Sequence, residues 1–181
     1  MKVYPVRSKA DREKIEMILK ATNKRDYLLW ILGSNTGFRI SDIIRLKVKD
    51  VKGNFITLIE QKTGKERSVK INKKLKAVLK DYIKGMDDNA VLFKSRVGGN
   101  KPICIRRCQQ IIKKVAELVG IEKNINSHSM RKTYAYNIYK TTGSLALVME
   151  ALNHSKEKVT LRYLCLVDEM LEDATEAIAD M

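Results

Sequence analysis

Apolar and polar positions alternate with two different periods along this chain. From Ser8 to Thr22 the apolar residues Ile15, Met17, Ile18 and Leu19 predict a helix with Ser8 as its N-cap. Arg25 to Leu32 predicts a second, more apolar helix, stopped near Gly33 and Gly37. Ser41 to Leu46 predicts a short helix with Ser41 near its start. The period then changes. Asn54 to Glu60 and Arg67 to Ile71 are β-branched and apolar, and Lys62-Thr63-Gly64-Lys65 joins them, the pattern of a β-hairpin. Lys73 to Ile83 and Ile105 to Val119 predict basic, amphipathic helices. Between them lie the apolar run Val91-Leu92-Phe93 and a loop with Gly98, Gly99 and Pro102. Ser127 opens a helix through Tyr139, Ser144 another to Leu152, Val159 a short one, and Asp168 to Ala179 a last one. The sum is an α+β, mainly helical fold with one small antiparallel sheet.

Composition narrows the class. At 181 residues the chain suits one domain with a hydrophobic core. No apolar run approaches the roughly 18 residues that span a membrane, and the start, Met1 to Arg7, has no apolar segment of a secretory signal. Three cysteines, an odd number, favour a reducing compartment over a disulfide framework, so a cytoplasmic place is expected. Cys104 and Cys108, four apart, could hold a metal, but both histidines have better uses. No metal or cofactor is expected.

Charge points to the partner. Thirty-six basic against 21 acidic residues leave a net charge of +15, more than solubility requires. Such an excess attracts polyanions, nucleic acid first. A membrane surface ranks below it, because no basic amphipathic segment carries a Trp/Phe-rich face. RNA lacks its aromatic signature here.

Four fragments then carry the chemistry: Thr36-Gly37-Phe38-Arg39-Ile40-Ser41-Asp42, Gln61-Lys62-Thr63-Gly64-Lys65, His128-Ser129-Met130-Arg131, and Leu152-Asn153-His154 followed by Tyr163. Arg39 and Arg131 suit a phosphate whose oxygens gather charge, because a guanidinium presents a rigid fork. His128, three residues before Arg131 on one helix face, adds a proton-transfer group. Tyr163 is the candidate nucleophile. Ionising a tyrosine of pKa about 10 at pH 7 costs about 4 kcal/mol, which neighbouring cations and a histidine offset. Lys62 at the hairpin tip could protonate a leaving oxygen, with Lys65 as its rival. Each fragment alone has a bland reading as a turn arginine, a solvated helix start, a core tyrosine or a surface lysine. Both histidines of the chain fall inside the set, which argues against chance.

Together, in order and spacing, the fragments resemble the tyrosine recombinase (phage integrase) family, over essentially the whole chain as that family's catalytic domain. Thr-Gly-x-Arg-x-Ser-Asp at 36–42 resembles the motif of the first catalytic arginine. Lys62-Thr63-Gly64-Lys65-Glu66-Arg67 resembles the hairpin whose first lysine is the general acid, which favours Lys62. His128-x-x-Arg131, Leu152-Asn153-His154 and Thr160-x-x-Tyr163 resemble the remaining boxes. The resemblance implies attack by Tyr163 on a DNA phosphate, a 3′-phosphotyrosyl link, and rejoining without ATP or metal. It implies phosphate binding by Arg39 and Arg131, proton transfer by His128, a hydrogen bond from His154 and acid catalysis by Lys62. It also implies double-stranded DNA as partner, a homotetramer on DNA and a monomer away from it, on the nucleoid and not at a membrane. Asn153 stands where the family usually has glycine, which is expected to shift the turn before His154. With 38 residues before Arg39 there is no room for the family's N-terminal core-binding domain, so 1–181 is expected to be the catalytic domain alone, excised or naturally short. Two alternatives use the same residues: a non-catalytic DNA-binding regulator with this fold, and a topoisomerase IB-like relaxing enzyme.

Overall fold

The computed structural model describes residues 2–155 and 157–165, with Thr175 and Ile178. The chain divides into two compact units, Met1–Tyr134 and Ala135–Met181. Among the described residues no helix is long and apolar enough to cross a membrane.

In the first unit α1 spans Lys9–Thr22 and α2 spans Lys24–Thr36. Ser8 caps α1 as expected, its Oγ accepting from the Asp11 N–H. One residue joins the two helices. Asn23 donates its N–H to the Leu19 carbonyl at 2.9 Å, closing α1, and its Oδ1 accepts from Arg25 and Asp26 N–H, opening α2. Helix α2 is the centre of the core: Leu28, Leu29, Trp30, Ile31 and Leu32 have no exposed surface. Each such side chain contributes about 1.5–3 kcal/mol of burial. That explains a run apolar on every face, packed against α1 and α4.

Helix α2 runs past Leu32, the end expected, to Thr36, and the stop comes at Gly37, the second of the two glycines expected near its end. Gly33 serves close approach instead. A Cβ there would lie 2.8 Å from the Met130 sulfur, so the helix keeps a residue without one. Helix α3 is shorter than expected, Ile40–Ile43 with Arg39 at its N-cap, and a 3₁₀ turn at Val48–Val51 follows.

The hairpin forms as expected. β1, Phe55–Ile59, pairs antiparallel with β2, Glu66–Lys70, from Phe55↔Lys70 to Ile59↔Glu66. Ile56, fully buried, marks its inner face. Helix α4, Lys73–Tyr82, is capped by Asn72, and α5, Ile105–Val119, has the expected bounds. Cys108, Ile111, Ile112, Val115 and Ala116 form the buried stripe of α5, leaving Arg106, Arg107, Lys113 and Lys114 exposed. Leu92 and Phe93 are buried in the same core, held through the Leu92 N–H on the Leu46 carbonyl.

Helix α6, Ser127–Thr142, begins in the first unit and ends in the second. In the second unit α7, Leu145–Leu152, packs on α8, Glu157–Leu164, around Val148, Leu152, Thr160 and Leu164. Ser144 caps α7 through its Oγ on the Leu147 N–H. The helix expected from Asp168 to Ala179 lies, apart from Thr175 and Ile178, outside the described residues.

Candidate active site

The end of α2 sets the first part of the site. Gly37 closes the helix at φ +61°, its N–H on the Gly33 carbonyl at 3.1 Å. Only glycine fits there. Any Cβ would meet the left-handed penalty and lie 2.2 Å from the Tyr134 ring. The Thr36 hydroxyl donates back to the Leu32 carbonyl at 2.8 Å, and the chain reverses to deliver Arg39.

A helix C-terminus leaves carbonyls without partners and carries partial negative charge. Two buried arginines answer both needs. Arg67 donates to the Thr36 carbonyl at 2.6 Å and to Gly37 at 3.0 Å, and its guanidinium lies 4.8 Å from the centre of the Phe38 ring. Arg131 donates to the same Gly37 carbonyl at 2.6 Å. Burial, then the charge of Arg131, lowers the Arg67 pKa to about 10, so it stays charged at neutral pH.

Glu60 is the centre of this cluster, with no exposed surface. Its Oε2 pairs with Arg39 Nη1 at 2.6 Å, and its Oε1 lies 3.4 Å from Arg131 Nη1 and 3.7 Å from Arg67 Nη1. Burial alone would raise the Glu60 pKa. The hydrogen bonds from Arg39 and Thr63 and the charges of Arg39 and Arg131 outweigh it and lower the pKa. Sequence reasoning missed Glu60. The signal was present: with a period of two, Ile56, Leu58 and Glu60 share a strand face, and Ile56 is core. A carboxylate at the end of that face needs buried cations.

Lys62 is exposed at the hairpin tip, where the Gly64 N–H closes a turn on the Glu60 carbonyl at 2.8 Å. Asp42, 4% exposed, accepts the Gln61 N–H on Oδ1 at 3.0 Å. His128 lies in the first turn of α6, above a reciprocal cap. Asn126 Oδ1 accepts the His128 N–H at 2.8 Å, and Ser129 Oγ accepts the Asn126 N–H at 3.1 Å. The His128 side chain reaches solvent, but surrounding protein and then four cations, Lys132, Arg131, Arg39 and Lys62, lower its pKa to about 4. At neutral pH its imidazole is neutral and can accept a proton. Arg39, Lys62, His128 and Arg131 are thus brought together in the first unit.

His154 and Tyr163 lie in the second unit and meet each other. Their rings stand edge to face at 5.3 Å between centroids, and the Tyr163 hydroxyl is shielded from solvent. His154 Nδ1 is 3.1 Å from the Thr160 hydroxyl, which fixes the ring on α8. Asn153 ends α7 at φ 54°, ψ 41°. It keeps the left-handed conformation that favours glycine, since asparagine tolerates that region best among other residues. The turn before His154 therefore has a glycine's geometry.

The sequence profile of the phage integrase family matches residues 9–170. The protein named "Probable integrase/recombinase YoeC" of Bacillus subtilis (strain 168) is 39% identical over 97% of this chain and 94% of its own length. The crystal structure of XerA recombinase superposes with a TM-score of 0.78 at 23% identity, over 98% of this chain and 65% of that one. XerH site-specific recombinase bound to palindromic difH substrate, a post-cleavage complex, gives 0.73 at 21% identity, over 96% and 53%. At such identities these two structures speak for the fold. The chain spans nearly all of YoeC and between half and two thirds of the XerH and XerA chains. The family motifs, the family profile over most of the chain and the YoeC similarity agree: this protein belongs to the phage integrase family.

Proposed function

We propose that residues 1–181 act as the catalytic domain of a site-specific recombinase that cuts and rejoins double-stranded DNA through a 3′-phosphotyrosyl link. The observation that carries this reading is the pairing of Arg39 and Arg131 on the buried Glu60 carboxylate, with His128 in the electrostatic reach of both arginines and of Lys62. Such a cluster is built for a phosphate whose oxygens gain charge in the transition state. Tyr163 Oη attacks phosphorus and passes its proton to His128. The P–O5′ bond breaks, and Lys62 protonates the departing 5′ oxygen. Arg39 and Arg131 hold the non-bridging oxygens, and His154 adds a hydrogen bond to them. The phosphotyrosyl bond retains the energy of the broken one, so a 5′-hydroxyl reverses the attack. The work is done by a homotetramer on nucleoid DNA in the cytoplasm.

The test is a library of nicked duplexes, each releasing a short 5′ fragment on cleavage so that rejoining cannot occur. The chain captures its site as a covalent adduct, and Tyr163→Phe forms none. An adduct undiminished in Tyr163→Phe, or none with the unmodified chain, sinks the reading. Relaxation of any supercoiled plasmid, with no captured site, would mark a relaxing enzyme instead.

A further inference from the structure

Lys62 lies beyond the last strand pair, Ile59↔Glu66, in the turn that joins the two strands. Backbone bonds close that turn, the Glu60 N–H on the Lys65 carbonyl at 2.9 Å and the Gly64 N–H on the Glu60 carbonyl at 2.8 Å; a general acid must further be aimed within hydrogen-bond reach of the atom it protonates. Two side-chain bonds bracket the lysine. Before it, the Gln61 N–H donates to Asp42 Oδ1 at 3.0 Å. After it, the Thr63 hydroxyl donates to Glu60 Oε2 at 2.9 Å. That same oxygen receives Arg39 Nη1 at 2.6 Å. Asp42 and Glu60 are both buried, so neither can follow the turn outward. One carboxylate oxygen therefore ties the phosphate clamp to the turn that bears the lysine.

We propose that Glu60 and Thr63 are positioning residues: Glu60 holds Arg39 directly and, through the Thr63 hydroxyl, orients Lys62 toward the leaving 5′ oxygen. The inference rests on Lys62 as the general acid. Neither residue touches the reacting atoms. In the step they serve, the P–O5′ electron pair moves to oxygen and the Lys62 Nζ proton completes the hydroxyl. With sulfur in the bridging 5′ position the departing thiolate is stable without that proton, because a thiol is a far stronger acid than an alcohol. A fault confined to Lys62 then vanishes, while a fault in the arginine clamp persists.

Thr63→Val keeps the side-chain shape and removes the hydroxyl; Thr63→Ser restores it. Adduct formation is timed on the captured nicked duplex with a bridging oxygen and with a bridging sulfur. Thr63→Val is expected to slow the oxygen substrate about tenfold or more and to cut the sulfur substrate within about threefold of the unmodified chain. Thr63→Ser should behave as unmodified on both, and Glu60→Gln should be slow on both. Thr63→Val cutting the oxygen substrate at full rate, or failing equally on both, overturns the inference. Lys62→Ala separates it from its premise. If sulfur rescues Lys62→Ala, either of those Thr63→Val results counts against Thr63 alone. If sulfur does not rescue it, the acid role of Lys62 falls, and the inference with it.

Discussion

Arg131 reaches back 94 positions to donate to the Gly37 carbonyl at 2.6 Å. This bond joins the His-x-x-Arg helix to the Thr-Gly-x-Arg turn, and it uses the backbone rather than a side chain of that turn. A lysine has one donor centre where Arg131 has a fork, so it cannot serve Gly37 and Glu60 while holding a phosphate. Arg131→Lys is expected to lower the cleavage rate by about a hundredfold or more, measured as adduct formation on the nicked duplex.

Gly37 should tolerate no side chain. Gly37→Ala adds left-handed strain and a contact of 2.2 Å with the Tyr134 ring, and is expected to cost about 3 kcal/mol or more. Gly33→Ala carries no left-handed strain, but its Cβ would lie 2.8 Å from the Met130 sulfur and 2.9 Å from the Met130 Cβ, which is fixed to α6, so it should also destabilise, by less than Gly37→Ala. Urea unfolding of both variants checks the order.

Acid should loosen the folded protein through two groups acting in one direction. His128 has a folded pKa of about 4 against about 6.5 in an unfolded chain. The fold favours its neutral form, so its contribution is present above pH 6.5 and is lost as pH falls toward 4. Glu60 has a lowered folded pKa; its contribution is present above its unfolded pKa and is lost as pH falls through the folded one. Melting temperature should therefore fall from pH 6.5 downward. His128→Gln should flatten the upper part of that fall while leaving the Glu60 part.

Asn153 should be replaceable by glycine. At φ 54°, Asn153→Gly is expected to change stability by less than about 0.5 kcal/mol, whereas Asn153→Ala should cost about 1 kcal/mol. Thermal unfolding distinguishes the two, and adduct formation by Asn153→Gly should match the unmodified chain.

Local signals predicted the elements well. The bounds of α5 follow from its apolar stripe, and the hairpin from two β-branched runs around Lys62-Thr63-Gly64-Lys65. Gly33 misled, because the reason for a glycine lay in Met130, almost a hundred residues away. The six polar candidates came from residue type and spacing, and the structure brings Arg39, Lys62, His128 and Arg131 together in one unit and His154 and Tyr163 in the other. The groups that hold them were not legible in that way. Glu60 read as the end of a strand and Arg67 as a strand residue, and Asn126 carried no reading at all. Their roles arise from pairings across the chain, such as Arg67 on the Thr36 carbonyl, which no local period encodes.

Asn23 closes one helix and opens the next, so α1 and α2 share a joint with no slack. Asn23→Asp or Asn23→Ser keeps a capping oxygen and leaves that joint intact. A residue inserted or deleted beside it is a different matter. One helix must then slip by a position, which turns its buried face through about 100° and moves the turn that two arginines grip. Over this stretch, chain length is constrained as tightly as side-chain identity.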